Sequence, residues 1–119
     1  NMVENKQRLR KESHLKRAIA SIMMRMNDPY LRYVTITEIK FSPDKKKATV
    51  YYVVLEGKKV HPGKLKKASG FIKKKLPEYI NLRHIPGLVF SYDNKVKKRE
   101  NLEELFTELE NERDNSDSE

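Results

Sequence analysis

Apolar residues recur at three- and four-residue spacing through Leu15, Ala18, Ile19, Ile22, Met23 and Met26. That spacing puts them on one stripe and predicts a helix over residues 8–27. Arg10 and Arg17 project from its opposite face. Asn27-Asp28-Pro29 ends it, because proline cannot continue a helix and disfavours helical backbone at the residue before it. Residues 33–41, YVTITEIKF, are β-branched and aromatic and predict a strand. Their alternation slips between Ile36 and Ile39, which predicts a bulge near Glu38. Ser42-Pro43-Asp44 is a turn signal. Residues 47–55, KATVYYVVL, predict a second strand, apolar on both faces as a central strand is. The short connection makes the two an antiparallel hairpin.

Beyond a charged loop, Pro62 suits the first turn of a helix. Leu65, Ala68, Ile72 and Leu76 form its stripe, Pro77 interrupts it, and a further helical piece continues through Tyr79-Ile80. Pro86-Gly87 breaks the chain, and residues 88–92, LVFSY, predict a third strand. Asn94 to Arg99 is a basic loop. Residues 100–112 predict an amphipathic helix with Leu102, Leu105, Phe106 and Leu109 on one face and mostly glutamate on the other. Residues 111–119 are acidic and without periodicity, and are expected to be a disordered tail. The expected architecture is one α+β domain over residues 1–110, in the order α-β-β-α-β with an extra C-terminal helix and all helices on one face of a three-stranded sheet.

Charge adds more than length does. The 119 residues carry 26 Lys+Arg and 17 Asp+Glu, a net +9. Residues 1–99 hold 25 basic and 8 acidic side chains, whereas residues 100–119 hold one basic and 9 acidic. A body so basic repels itself, and a polyanion relieves the repulsion. Nucleic acid is the preferred partner over an anionic membrane surface; a generally lysine-rich surface is the plain alternative. No cysteine is present, which excludes disulfides, thiol catalysis and cysteine-ligated metal. There is no run of eighteen apolar residues to span a membrane. Asn1 to Arg10 has no signal-peptide core, and Met2 reads as the natural start after a remnant Asn1.

The catalytic inventory is thin. His14, His61 and His84 are not at metal-ligand spacing, and Gly57, Gly63, Gly70 and Gly87 make neither a phosphate loop nor a dinucleotide fingerprint. The expectation is a protein that is not an enzyme, with no metal or cofactor.

The sharper feature is the run GKLKKASGFIKKKL over residues 63–76. At about 100° per residue, Gly70 falls amid Lys66, Lys67, Lys73 and Lys74, away from the apolar stripe. Glycine inside a helix costs about 1 kcal/mol relative to alanine, so a compensating reason is worth seeking. One reason is close approach of a phosphate or ribose, or a kink that frees N–H groups for an anion. The other is a kink needed only to wrap the helix over the sheet. Lys45, Lys46 and Lys47 at the hairpin turn, and Arg10 and Arg17, are secondary phosphate-contact candidates. Turn lysines also protect sheet edges. Tyr51, Tyr52, Phe41, Phe90 and Tyr92 read as core, leaving Phe71 as the one aromatic beside the basic face.

Ala68-Ser69-Gly70-Phe71-Ile72-Lys73, then Leu82-Arg83, Pro86, Phe90 and Tyr92-Asp93-Asn94, resemble the bacterial ribosome-binding factor A family. So do Asp28-Pro29, Val34-Thr35-Ile36-Thr37 and Ala48-Thr49-Val50-Tyr51. The resemblance spans about residues 5–110 and lies in the order and spacing of the segments. It implies a KH-like domain of the second topological class, in which the Gly-x-x-Gly clamp of KH domains is replaced by an Ala-x-Gly kink in the second helix. Ala68-Ser69-Gly70 matches that kink and implies a site with Lys66, Lys67, Lys73 and Lys74. Tyr30 departs from the arginine that often follows Asp-Pro. The resemblance further implies a monomeric cytoplasmic factor that binds the free small ribosomal subunit and its rRNA. Such a factor assists late maturation and rRNA processing, matters for growth in the cold, and is released with help from a ribosome-associated GTPase. The alternatives are a general single-stranded nucleic-acid-binding module and a protein-interaction module that uses the acidic helix.

Overall fold

The computed structural model describes residues 1–95, 102 and 105–111. Helix α1 spans Met2–Arg25, and a 3-10 turn over Leu31–Tyr33 leads into strand β1, Val34–Phe41. Strand β2 is Lys47–Val54, helix α2 is Pro62–Lys75, a second 3-10 turn covers Leu76–Glu78, and strand β3 is Gly87–Tyr92. This is the expected α-β-β-α-β order. The sheet runs β1-β2-β3, with β1 antiparallel and β3 parallel to the central β2. Parallel neighbours need a crossover connection, and α2 is that crossover.

The core lies between one sheet face and the two helices. Ile36, Ile39, Ala48, Val50 and Tyr52 are buried from the sheet, against Leu15, Ile19 and Ile22 of α1 and Leu65, Ala68 and Ile72 of α2. The slipped alternation in β1 is a real bulge. Ile36 pairs with Tyr52 and Glu38 with Tyr51, so Thr37 is extra. The insertion returns Ile39 to the helix-facing side. The Thr37 hydroxyl donates to Asp93 Oδ2, and the Asp93 N–H donates to the Tyr52 carbonyl at 2.8 Å. Buried Asp93 thus ties the bulge to the end of β3.

Helix α1 begins six residues before the expected start at residue 8 and ends at Arg25. Its first residues, through Lys11, are all exposed, so no apolar stripe marks them. Glutamate, lysine, glutamine, arginine and leucine favour helix there without packing, and the Asn1 side chain accepts the Glu4 N–H. At the other end, Asn27 takes a left-handed φ of 53° as the residue after the C-cap.

The exposed edge of β1 is closed by α1. Glu12, buried, accepts the Phe41 N–H at 2.8 Å, and Lys16 Nζ donates to the Thr37 carbonyl at 3.1 Å. These bonds satisfy groups that an edge strand otherwise presents to other chains.

A second correction concerns α2. The expected kink at Gly70 does not interrupt it: residues 62–75 form one continuous helix, and the change to 3-10 geometry comes at Leu76, beside Pro77. No second helix start opens at Gly70, so no N–H groups are freed for an anion. At the C-terminal end, Leu102 and residues 105–111 are helical, with Leu102, Leu105, Phe106 and Leu109 exposed rather than docked. Of the tail expected to be disordered, residues 112–119 lie outside the described residues.

The hairpin turn carries strain. Lys45 holds a φ of 60°, a position that favours glycine. Its N–H donates to the Ser42 carbonyl at 2.9 Å. Asp44 Oδ1 accepts the Ser42 hydroxyl and the Lys46 N–H, and these bonds, led by the hydroxyl, hold its carboxyl below the ordinary carboxylate range.

Two of these features can be tested by substitution. Glu12→Ala leaves a half-buried Phe41 N–H without its partner and is expected to lower unfolding free energy by about 1–3 kcal/mol; Glu12→Gln, which keeps an acceptor, loses less in urea denaturation. Lys45→Gly relieves the left-handed strain and raises stability by about 1 kcal/mol, read as an upward shift of the urea midpoint.

Candidate nucleic-acid interface

Because α2 buries Leu65, Ala68 and Ile72 against the sheet, with Leu76 of the following turn, its opposite side is committed to solvent. Lys66, Lys67, Gly70, Lys73 and Lys74 are all exposed there. The helix starts on His61, whose Nδ1 accepts the Gly63 N–H at 3.0 Å. The lysines at its two ends have acidic neighbours: Lys64 lies 3.2 Å from Asp28, and Lys75 lies 3.7 Å from Glu78. The four lysines between them make no ion pair with a described residue. Four unpaired like charges on three turns of helix repel one another, and an external polyanion removes that repulsion.

Gly70 sits within this group. A β-carbon built there meets nothing within 4 Å. Neither packing against the sheet nor a special backbone conformation therefore requires glycine, and of the two readings the one based on wrapping over the sheet loses its support. What glycine provides is a bare stretch of helix between lysines. Ser69 is half-buried, and its hydroxyl donates to the Lys66 carbonyl at 2.6 Å, so it is engaged with the helix itself. Ala68 is a correction to the expected contact surface: at 5% exposure it belongs to the core and does not face an external ligand. It lies on the same stripe as Leu65 and Ile72, which face the sheet.

Beside the lysines, α2 and β3 enclose a cleft of about 370 Å³ lined by Leu65, Lys66, Ser69, Tyr52, Val89 and Phe90. Val89 is exposed on the edge strand, and Phe71 is exposed on α2 with Lys75 Nζ 5.8 Å from its ring centre. Val89 escaped the sequence reading because a short strand gives no sign of which edge stays open. Phe90 does reach the core, as expected, and meets Tyr52 edge-on at 6.2 Å. Tyr92 also packs edge-on against Tyr52 at 5.8 Å but is 40% exposed, at the end of the sheet. Burial, with the neighbouring Tyr92, pushes the Tyr52 hydroxyl up from its ordinary range.

The Asp28-Pro29-Tyr30 corner joins α1 to α2. Asp28 Oδ1 accepts the Tyr30 N–H, and Lys64 Nζ lies 4.2 Å from the centre of the Tyr30 ring. Partial desolvation acts to raise the Asp28 carboxyl, but the Tyr30 N–H and Lys64 outweigh it, so the carboxyl lies below its ordinary range. Its stabilising contribution is present above the ordinary carboxylate pKa and is lost as pH falls through the depressed one.

The secondary candidates do not join this face as a group. Arg10 is exposed on α1, and Arg17 lines a shallow cleft with Tyr79 and Asn81. Lys45 and Lys46 line a different cavity, with Arg8, Lys11 and Arg83, while Lys47 stands at the start of β2 opposite Gly87. Arg8 and Lys11 carried no sequence signal and Arg83 entered only through the family resemblance, because this cavity is assembled from three distant segments. No cluster of three His, Asp or Glu side chains suited to a metal ion occurs among the described residues, nor a helix long and apolar enough to cross a membrane.

The α-β-β-α-β order, the mixed three-stranded sheet and the crossover helix make an α+β domain that agrees with the KH-like class the resemblance implied. The family model for ribosome-binding factor A matches residues 7–106. A ribosome-binding factor A from Geobacter sp. (strain M21) is 30% identical over 112 residues, spanning 91% of this chain and 92% of its own. Another, from Desulfatibacillum aliphaticivorans, is 39% identical over 93 residues, 76% of each chain. The crystal structure of ribosome-binding factor A from Thermus thermophilus aligns with a TM-score of 0.65 at 25% identity, over 71% of this chain and 94% of that one. The Thermus thermophilus factor as fitted into a cryo-EM map of a 30S complex shares the fold, with a TM-score of 0.59 at 24% identity over 70% of this chain and 91% of that one. The chain belongs to the ribosome-binding factor A family.

Gly70→Ala provides the direct test of whether the fold needs this glycine. With open space around the new methyl group and a continuous helix through the site, the variant is expected to gain about 1 kcal/mol of stability. A thermal melt that drops instead restores a structural role for the glycine.

Proposed function

We propose that this chain binds the free small ribosomal subunit, and that the outer face of α2 is the surface that meets its rRNA. The observation that carries this reading is the set of four lysines, none in an ion pair with a described residue, around a glycine the fold does not need. Family membership and the 30S complex of the Thermus thermophilus factor support the choice of target. The contact residues are Lys66, Lys67, Gly70, Lys73 and Lys74, with Ser69 contributing through the helix it braces. The protein acts without catalysis, as a cytoplasmic monomer. By binding one rRNA conformation better than another it shifts folding toward that state by the difference in affinity. The process served is late maturation and rRNA processing of the small subunit, with most consequence in the cold, and a ribosome-associated GTPase promotes release.

A second reading, a general single-stranded nucleic-acid module, draws on the cleft between α2 and β3, whose apolar lining beside lysines suits exposed bases. Binding to purified small subunits in competition with arbitrary oligonucleotides separates the two readings.

The protein is expected to sediment with free small subunits rather than polysomes in a lysate gradient. Replacing Lys66, Lys67, Lys73 and Lys74 by glutamine is expected to abolish that co-sedimentation with little change in melting temperature, since all four are exposed. It also flattens the fall of log K with log salt by about 0.7 for each single-strand phosphate that the variant leaves unneutralised. Gly70→Ala is expected to bind subunits less well while being the more stable protein. Unchanged sedimentation of both variants places the interface elsewhere.

A further inference from the structure

A second cavity, of about 580 Å³, lies between the N-terminal half of α1, the β1–β2 turn and the segment before β3. It shares no residue with α2 or with the cleft beside it. Its volume is within the range of about 300–1,000 Å³ typical of small-ligand sites.

The rim is cationic. Arg8 and Lys11 stand one helical turn apart on α1, Lys45 and Lys46 come from the turn, and Arg83 from the segment before β3. All five are exposed, and none makes an ion pair with a described residue. The one acidic rim residue, Asp44, already accepts the Ser42 hydroxyl and the Lys46 N–H. The floor is apolar: Phe41, Leu82 and Ile85 are half-buried and rest on the hydrophobic core. Lys45 is held on this rim in a left-handed conformation that disfavours a lysine.

An apolar floor suits the face of a base, and a cationic rim suits the phosphates on either side of it. The rim cations are flexible and exposed, so fixing each one on a phosphate costs side-chain entropy. A single phosphate returns little against that cost, whereas a strand crossing the rim engages several cations at once. We infer that this cavity takes one unstacked nucleotide of a single-stranded RNA, with its base on Phe41 and Ile85 and its neighbouring phosphates on Arg8, Lys11 and Arg83. The ligand class rests on the RNA-binding reading above; the location is independent of the α2 face.

The test is an NMR titration of the labelled full chain with three probes: octauridylate, an abasic ribose-phosphate chain of the same length, and uridine monophosphate. Octauridylate is expected to shift the Phe41 ring and Ile85 methyl resonances and to bind about tenfold tighter than the abasic chain, the scale of one stacked base. Equal binding of the abasic chain reduces the cavity to a charge patch and overturns the proposal. Uridine monophosphate binding as tightly as the octamer overturns the strand and makes the ligand a free nucleotide. The pair Lys11→Gln and Arg83→Gln, both exposed, is expected to remove the Phe41 and Ile85 shifts while the glutamine variant of the α2 lysines keeps them. The reverse pattern, or loss in both variants, refutes a separate site. Small-subunit sedimentation, measured alongside, reports on the α2 reading, so either idea fails without the other.

Discussion

The parallel pairing of β3 with β2 is the constraint on which the rest of the structure depends. Two parallel neighbours cannot be joined by a hairpin, so the chain between them must cross back over the sheet. α2 is the helix that makes that crossing, and Leu65, Ala68 and Ile72, with Leu76 of the turn that follows, weld it to the sheet. Once those four are buried, helical periodicity leaves no freedom: the lysines between them face outward. The cationic face follows from the topology together with the spacing of one apolar stripe.

Glycine and charge at this face work against the isolated domain. Four like charges without acidic partners among the described residues and a helix-interior glycine with open space around it both cost stability. Neither cost is recovered inside the described fold. At the two ends of α2 the lysines do have acidic neighbours, Asp28 for Lys64 and Glu78 for Lys75. Among the described residues, the middle of α2 combines four lysines without an ion pair and a glycine that packing does not require, and that combination marks it as a surface for something else. Lys45 repeats the pattern on a smaller scale, a strained lysine on the rim of a second cationic cavity.

Asp93 shows how a short motif has a physical meaning that spacing does not disclose. Its carboxylate receives the hydroxyl of Thr37, the bulge residue, and the backbone N–H of Lys95, while its own N–H reaches the Tyr52 carbonyl. It joins all three strands at the point where β1 is irregular. Tyr92-Asp93-Asn94 and Val34-Thr35-Ile36-Thr37 stand out as separate fragments in the sequence and meet only in the fold.

Local order was legible from the chain alone wherever an apolar stripe met a sheet or a helix. The central position of β2, the bulge and the solvent face of α2 all follow from the spacing of side chains that bury themselves, and the end of α1 just before Asn27-Asp28-Pro29 follows from its proline. The first turns of α1 were not legible, because nothing packs on them and only intrinsic propensity and the Asn1 cap hold them. Ala68 belonged to the core by its periodicity, although a motif resemblance drew it toward the site. Whether Gly70 breaks its helix was decided by tertiary structure, since a glycine permits a break without requiring one and the sheet beneath α2 supports an uninterrupted helix to Lys75. The cavity of Arg8, Lys11, Lys45 and Arg83 was decided there too. Its cations come from α1, the hairpin turn and the segment before β3, far apart in sequence, and only the packing of α1 along the edge of β1 brings them around one apolar floor.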